Sequence, residues 1–346
     1  MKGVQVHRFR YFYPKSWQGL AYGSGGGIPA NLYRYPWLLF QVPFFVFMFL
    51  IKTFRVSKKA DLLHANWIYV GLIAWIVKVV RGTPFVLTLR GSDVQGTQKG
   101  RLALFLSLWV LKRAAVITTV NQDLKQWVID QGIPEERVVF IRNGVDLSSV
   151  QEIRKDTSIC RLLFVGSLIP RKGVRYLIES LSTLICIERN FSLTIVGEGA
   201  EKKRLKQQVD QSALNDFVSF VGSVPPDQIV NYLSKSDCLV LPSLWEGTPN
   251  VVLEAMAAGL PVVASDLSGI REIVTPDLNG LLFQAKNVDE LSKALMKIIS
   301  DQGLCKRMGE SGREIIESLG LGWKQTASRY RECYQKICAV SQDASN

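Results

Sequence analysis

SLWEGTPNVVLEAMAAGLPVVAS, residues 243–265, is the stretch whose reading decides the fold. Thr248 can cap a helix over Pro249 to Ala258, because a proline in the first turn gives up an amide hydrogen that has no intrahelical acceptor there. PVVAS (261–265) is then strand-like, and CLVLPS (238–243) just upstream is a second apolar run of strand length. Strand, loop, helix and strand joined by short connections form the repeating unit of a parallel α/β sheet.

The same rhythm extends in both directions. Upstream lie RLLFVGSL (161–168), a helix over Val174 to Leu184, FSLTIVGEG (191–199), a helix over Glu201 to Gln211, VSFVGSV (218–224) and a helix over Pro226 to Ser234. Downstream come helices over Val288 to Gly303 and Trp323 to Cys338, then a polar tail after Val340. An earlier set reads LLHA (62–65), a helix over Ile68 to Val80, PFVLTLRG (84–91), a helix over Arg101 to Arg113, AVITTV (115–120), a helix from Gln122, and RVVFIRNGVD (137–146). The composition turns polar across Ser148 to Ser158. The chain therefore divides into residues 1–150, residues 151–323 and a C-terminal helix with its tail, residues 324–346, which is expected to pack back on the first domain. Two domains also suit 346 residues of which 47% are hydrophobic.

The net charge of +12 is one-sided: residues 1–150 hold 19 Lys or Arg against 7 Asp or Glu, and the remainder is balanced. Nothing in the basic half has the spacing of a nucleic-acid module, so an anionic membrane surface is the expected partner rather than nucleic acid. Trp37 to Ile51 (WLLFQVPFFVFMFLI) is the most apolar run, with Lys52, Arg55, Lys58 and Lys59 behind it. Interrupted by Gln41 and Pro43, it is shorter than the roughly 20 residues a spanning helix needs. A buried or interfacial helix is the first expectation, a membrane-dipping one the second and a spanning one the third. The six cysteines have no zinc or redox spacing and read as reduced packing residues of a cytoplasmic protein.

Open parallel sheets bind ligands at the carboxyl ends of their strands. The helix after Thr248 offers backbone amides and a positive dipole end to an anion such as a diphosphate, and Gly247 permits close approach. Glu246 and Glu254 would repel that anion unless each accepts hydrogen bonds from hydroxyl pairs, as in ribose or a hexose. Lys172, in the turn VGSLIPRKG, supplies a cation that can stabilise a departing diphosphate. Singly, each is as readily an ordinary solvated side chain; together, their spacing points to a sugar nucleotide.

With EGTPNVVLEAMAAGLPVVAS, FVGSLIPRKG, TIVGEG, FVGSV, GIREIV, DLLHANW, TLRGSD, ITTVN and FIRNGVD, the chain resembles the family-4 retaining glycosyltransferases. That resemblance implies the GT-B fold: α/β, two Rossmann-like domains facing a cleft. It implies that Glu246 contacts the donor hexose, that amides around Gly247, Thr248, Pro249, Asn250 and Val251 hold the diphosphate, and that Glu254 binds the ribose. Gly166, Ser167, Arg171 and Lys172 would line the diphosphate, with Gly197, Glu198, Gly222 and Val224 near the base. Arg90, Asp93 and Asn143 would lie on the acceptor side, Arg90 with a catalytic role beside Glu246 and Lys172. The family usually works without a metal, so no cofactor is expected.

Three departures stand out. Ser167 occupies a position where the family commonly has an arginine, with Arg171 nearby to compensate. Arg90 replaces a histidine and cannot act as a neutral base. The segment GVQVHRFRYF lies near the start, without the strand, Gly-rich turn, helix and second strand that normally precede it. GSGGG (23–27) is read as a loop rather than their substitute, so an incomplete first domain, from a truncated or mis-started product, is expected. The implied activity is retaining transfer from a nucleotide sugar to a lipid-linked, polysaccharide or other glycoconjugate acceptor, peripherally at the inner face of the membrane. An inactive nucleotide-sugar-binding fragment is the alternative, and a GT-B epimerase a further one.

Overall fold

The computed structural model describes residues 3–21, 27–91, 94, 100–146 and 159–343. The chain forms two compact units, Met1–Ile141 with Tyr330–Asn346, and Arg142–Arg329. The division falls at Ile141 and Arg142, earlier than the polar stretch in the sequence suggests, and residues 147–158 lie outside the described ones. Its cause is local: the Val145 amide donates to the Leu321 carbonyl at 2.8 Å, and Arg142 pairs with Glu272 at 3.4 Å, tying this segment to the second unit. The final helix, Trp323–Asp343, begins in the second unit and belongs to the first from Tyr330 onward.

In the first unit, β1 (Leu63–Asn66), β2 (Phe85–Leu89), β3 (Val116–Thr119) and β4 (Val138–Phe140) form a parallel sheet in sequential order. Every residue of β2 is buried, as expected of a strand covered on both faces. Asn121 starts the helix Gln122–Asp130 by accepting from the Leu124 amide at 2.8 Å. A polar chain crosses this apolar sheet: His64 Nε2 meets Thr88 Oγ1 at 2.6 Å, and Thr88 Oγ1 meets Thr118 Oγ1 at 2.5 Å. His64 Nδ1 meets the Tyr334 hydroxyl at 2.6 Å, fastening the end of the last helix, whose Cys333 and Ile337 pack on Val86. Burial and the neighbouring Arg90 push the His64 imidazole down to about 4, so the ring is neutral in this chain near pH 7.

The apolar run differs from its expected form. Pro36–Gln41 is a 3-10 turn, Val42–Val56 an α-helix and Ser57–Lys59 a second 3-10 turn, making 24 helical residues long and apolar enough to cross a membrane. Pro43 does not interrupt it, because it falls in the first turn of the α-helix. Gln41 is accommodated by donating to the Trp17 carbonyl at 2.7 Å. Nor is the helix buried: one flank holds Phe9, Tyr11 and Phe12 through Phe45, Phe49, Phe40 and Phe44, while Trp37, Leu39, Phe47 and Met48 are exposed. Of GSGGG, only Gly27 lies among the described residues, where it opens the helix Gly27–Arg34.

The second unit carries six parallel strands: β5 (Cys160–Val165), β6 (Phe191–Val196), β7 (Val218–Gly222), β8 (Cys238–Leu241), β9 (Val262–Ser265) and β10 (Gly280–Phe283). Their spatial order is β7-β6-β5-β8-β9-β10. That is the doubly wound order 3-2-1-4-5-6, in which the winding reverses between the first and fourth strands and opens a crevice at their carboxyl ends. Here the reversal lies between β5 and β8. The expected helix Val288–Gly303 is two helices, Val288–Ser300 and Gln302–Ser318, because Asp301 caps the second by accepting from the Leu304 amide at 2.8 Å.

Candidate functional site

The loops after β5, β6, β7 and β8 are joined through their backbones. Gly166 donates to Val196, Leu168 to Glu198, Gly197 to Gly222 and Leu244 to Arg171, each at 2.8–3.0 Å. Two glycines make this closeness possible. A Cβ on Gly197 (φ +149°) would stand 1.9 Å from the Gly166 carbonyl oxygen, and one on Gly173 (φ +65°) 2.0 Å from that of Pro242. No side chain fits at those distances.

Lys172 closes the 3-10 turn Pro170–Lys172 after β5, and Glu246 lies in the loop after β8, so the two strands flanking the reversal deliver them to one spot. Lys172 Nζ donates to Glu246 Oε1 at 2.5 Å, with the two side chains only 14% and 8% exposed. The Ser243 hydroxyl donates to the same oxygen at 2.6 Å. Arg171 lies with its guanidinium 5.3 Å from the centroid of the Trp245 ring, a cation–π contact that holds it beside the pair in sequence.

The helix that follows runs Asn250–Ala257, one residue later than expected at its start and one earlier at its end. Its N-cap residue is not Thr248. Pro249 takes the N-cap position in an extended conformation, with no side-chain cap, so helical geometry begins only at Asn250. The amide of Val252 already bonds to the Pro249 carbonyl at 3.1 Å, whereas the first positions, Asn250 and Val251, have no intrahelical acceptor. One turn on, Glu254 is half-buried, and desolvation pushes its carboxyl above the ordinary carboxylate range. Among the described residues its carboxylate has no hydrogen-bond or ion-pair partner. A half-buried carboxylate left without donors is suited to accept from a ligand.

The remaining predicted residues are placed as follows. Gly166, Ser167 and Gly197 are half-buried in the joined loops, Gly222 is buried and Gly247 is buried after Glu246. Glu198 pairs with Lys202 one turn away. Val224 packs against the core. Asn143 belongs to the second unit, where its amide donates to Asn250 Oδ1 at 2.8 Å. Arg90, in the first unit, is exposed and donates to Asn66 Oδ1 from Nε at 3.2 Å and Nη2 at 3.1 Å. Asp93 lies outside the described residues. Ser243 and Trp245 carry no sequence signal of their own beyond their nearness to Glu246.

Residues 1–144 match the Glycosyl transferase 4-like domain, and residues 149–315 match the family Glycosyl transferases group 1. The chain is a group 1 glycosyltransferase. This glycosyltransferase is 27% identical over 300 residues to an uncharacterized glycosyltransferase of Methanocaldococcus jannaschii, covering 84% of the present chain and 81% of the relative. In fold it is similar to sucrose-phosphate synthase from Thermosynechococcus elongatus, with a TM-score of 0.78, 23% identity, and 88% and 80% of the two chains covered. It is also similar to Anabaena HepE in complex with UDP-glucose, with a TM-score of 0.74, 21% identity, and 84% and 82% covered. The glycosyltransferase thus has the GT-B fold, with one parallel α/β sheet in each unit.

Proposed function

We propose that this glycosyltransferase transfers a hexose from a nucleoside-diphosphate donor to a lipid-linked, polysaccharide or other glycoconjugate acceptor, with retention of anomeric configuration. The observation carrying this reading is the buried Lys172–Glu246 pair at the reversal between β5 and β8, with the unpartnered Glu254 one helical turn beyond. Glu246 accepts from hexose hydroxyls, and Glu254 accepts from the ribose diol. The first amides of the Asn250–Ala257 helix hold the diphosphate. Lys172 stabilises the negative charge that grows on the diphosphate as the bond from C1 to its oxygen breaks. The acceptor oxygen then bonds to C1 on the face the diphosphate leaves, and its proton passes to a diphosphate oxygen. Lys172 takes the charge-neutralising part, so no metal is required.

The test is incubation of the purified chain with UDP-, GDP- and ADP-sugars, reading binding, hydrolysis and transfer, with anomeric configuration followed by proton NMR. An inverted product overturns retention. Absence of binding to every donor by the folded chain overturns the donor site.

We also propose that the first unit rests on an anionic membrane at the cytoplasmic face, a compartment in keeping with six free thiols. The exposed side chains of Trp37, Leu39, Phe47 and Met48, followed by Arg55, Lys58 and Lys59, support this reading. Flotation with vesicles containing phosphatidylglycerol, but not with pure phosphatidylcholine, and its weakening by salt, are expected. Equal failure with both lipids refutes it.

A further inference from the structure

We infer that Ser243 is a positioning residue for donor-sugar recognition, acting through Glu246. The inference rests on the proposed role of Glu246. Ser243 follows β8 by two residues and its side chain is fully buried. Its hydroxyl is used once, donating to Glu246 Oε1 at 2.6 Å. Lys172 donates to that same oxygen. Both protein donors therefore converge on Oε1, and among the described residues Oε2 has no partner. The carboxylate is held by one oxygen and offers the other.

The two donors differ in what they do when a donor substrate arrives. Lys172 has a long flexible stem and a cation that a diphosphate competes for. Ser243 is fully buried just past the end of β8, and its bond to Glu246 is its one side-chain hydrogen bond. Once Lys172 turns to the diphosphate, Ser243 alone keeps Glu246 oriented and partly compensates the lost cation. Without the hydroxyl, the carboxylate swings between rotamers and is less well matched to the hexose hydroxyls. The diphosphate and base contacts, made by other residues, are untouched. Ser243 therefore tunes recognition of the sugar and not of the nucleotide.

The experiment compares Ser243→Ala, Ser243→Cys and Glu246→Gln with the unaltered chain, by calorimetric titration with UDP and UDP-glucose, GDP and GDP-mannose, and ADP and ADP-glucose. For whichever pair binds, Ser243→Ala should leave the nucleoside diphosphate affinity within twofold and weaken the nucleotide sugar by about five- to twentyfold, at or below the low end of what a hydrogen bond to a charged group contributes, because the effect reaches the sugar only through Glu246. Ser243→Cys, a weaker donor of similar shape, should fall between. Equal weakening of both ligands by Ser243→Ala overturns the inference, because it marks general damage to the loop. No weakening of either also overturns it. If Glu246→Gln itself fails to separate sugar from diphosphate, the role of Glu246 fails, a result distinct from a failure at Ser243 alone. If no pair binds the folded chain, the donor-site reading fails as a whole.

Discussion

Replacing Lys172 with alanine tests the chemistry and the architecture at once. The substitution removes a cation 2.5 Å from Glu246 Oε1, in a pair whose side chains are 14% and 8% exposed. Breaking a fully buried pair costs about 3–5 kcal/mol, since the remaining charge is left uncompensated. Here Ser243 still donates to the same oxygen, and the space vacated by the lysine stem admits water. The expected loss of stability is therefore about 1–2 kcal/mol, a fall in melting temperature of about 2–8 °C for a unit of this size. The kinetic loss should be larger, because charge on the diphosphate is greatest in the transition state. Removing one such stabilising group typically costs about 10²–10³ in kcat. Initial rates at saturating donor, with melting curves on the same samples, separate the two effects. A kcat within tenfold of the unaltered enzyme, with the defect confined to KM, would refute the leaving-group role, because it is the mark of uniform binding.

Glu254→Gln should weaken nucleotide-sugar affinity by about 10- to 100-fold with little change in kcat, as expected for a charged acceptor lost from the unreacting ribose; similar losses in kcat would count against that assignment. The same variant bears on stability. Burial raises the Glu254 carboxyl, so folding favours its protonated form and the ionised form is a burden at neutral pH. The ligand-free Gln variant should melt higher than the parent at pH 7, with the difference shrinking as pH falls through the carboxylate range. His64 has the opposite linkage. Its folded value is about 4 against an ordinary 6.5, so the stability it contributes is complete above about pH 6.5 and declines as pH falls toward 4. Because His64 is an exposed residue of its strand, solvent screening reduces the effect to the order of 1 kcal/mol; His64→Gln should flatten the melting profile between pH 4 and 6.5, and an unchanged slope would refute the link.

Much of this molecule was legible where local chemistry and packing agree. The helix Val174–Leu184 has the limits the sequence indicates, since the left-handed Gly173 opens it and its apolar positions recur on one face. β5 and β6 stand out as apolar runs because a central parallel strand is buried on both sides. Other parts are tertiary in origin. Gln302–Ser318 contains Gly303, Gly309 and Gly312, residues that weaken a helix intrinsically. There the burial of Cys305, Met308 and Ile316 in the second unit's core outweighs the glycines. β10 is only GLLF, too short for a periodicity to declare itself. At the site, Glu246, Glu254 and Lys172 were visible as residue types at a spacing. The convergence of Ser243 and Lys172 on a single carboxylate oxygen depends on the reversal of winding between β5 and β8, which no local pattern encodes. The N-cap falls on Pro249 rather than Thr248, because the extended backbone at Pro249 sets the helix start one residue later.

The backbone bonds linking the loops after β5, β6, β7 and β8 make them one inheritable block rather than four independent ones. A loop exchanged singly from a relative would meet the carbonyl of Gly166 or Pro242 at the wrong height, and the mismatch would spread to its neighbours. On the proposed donor-site reading, donor preference would drift most readily through side chains that decorate the block, such as Ser167 and Trp245. Changes in loop length are constrained to occur together or not at all, and a designer seeking a new donor would transplant the four turns as a set.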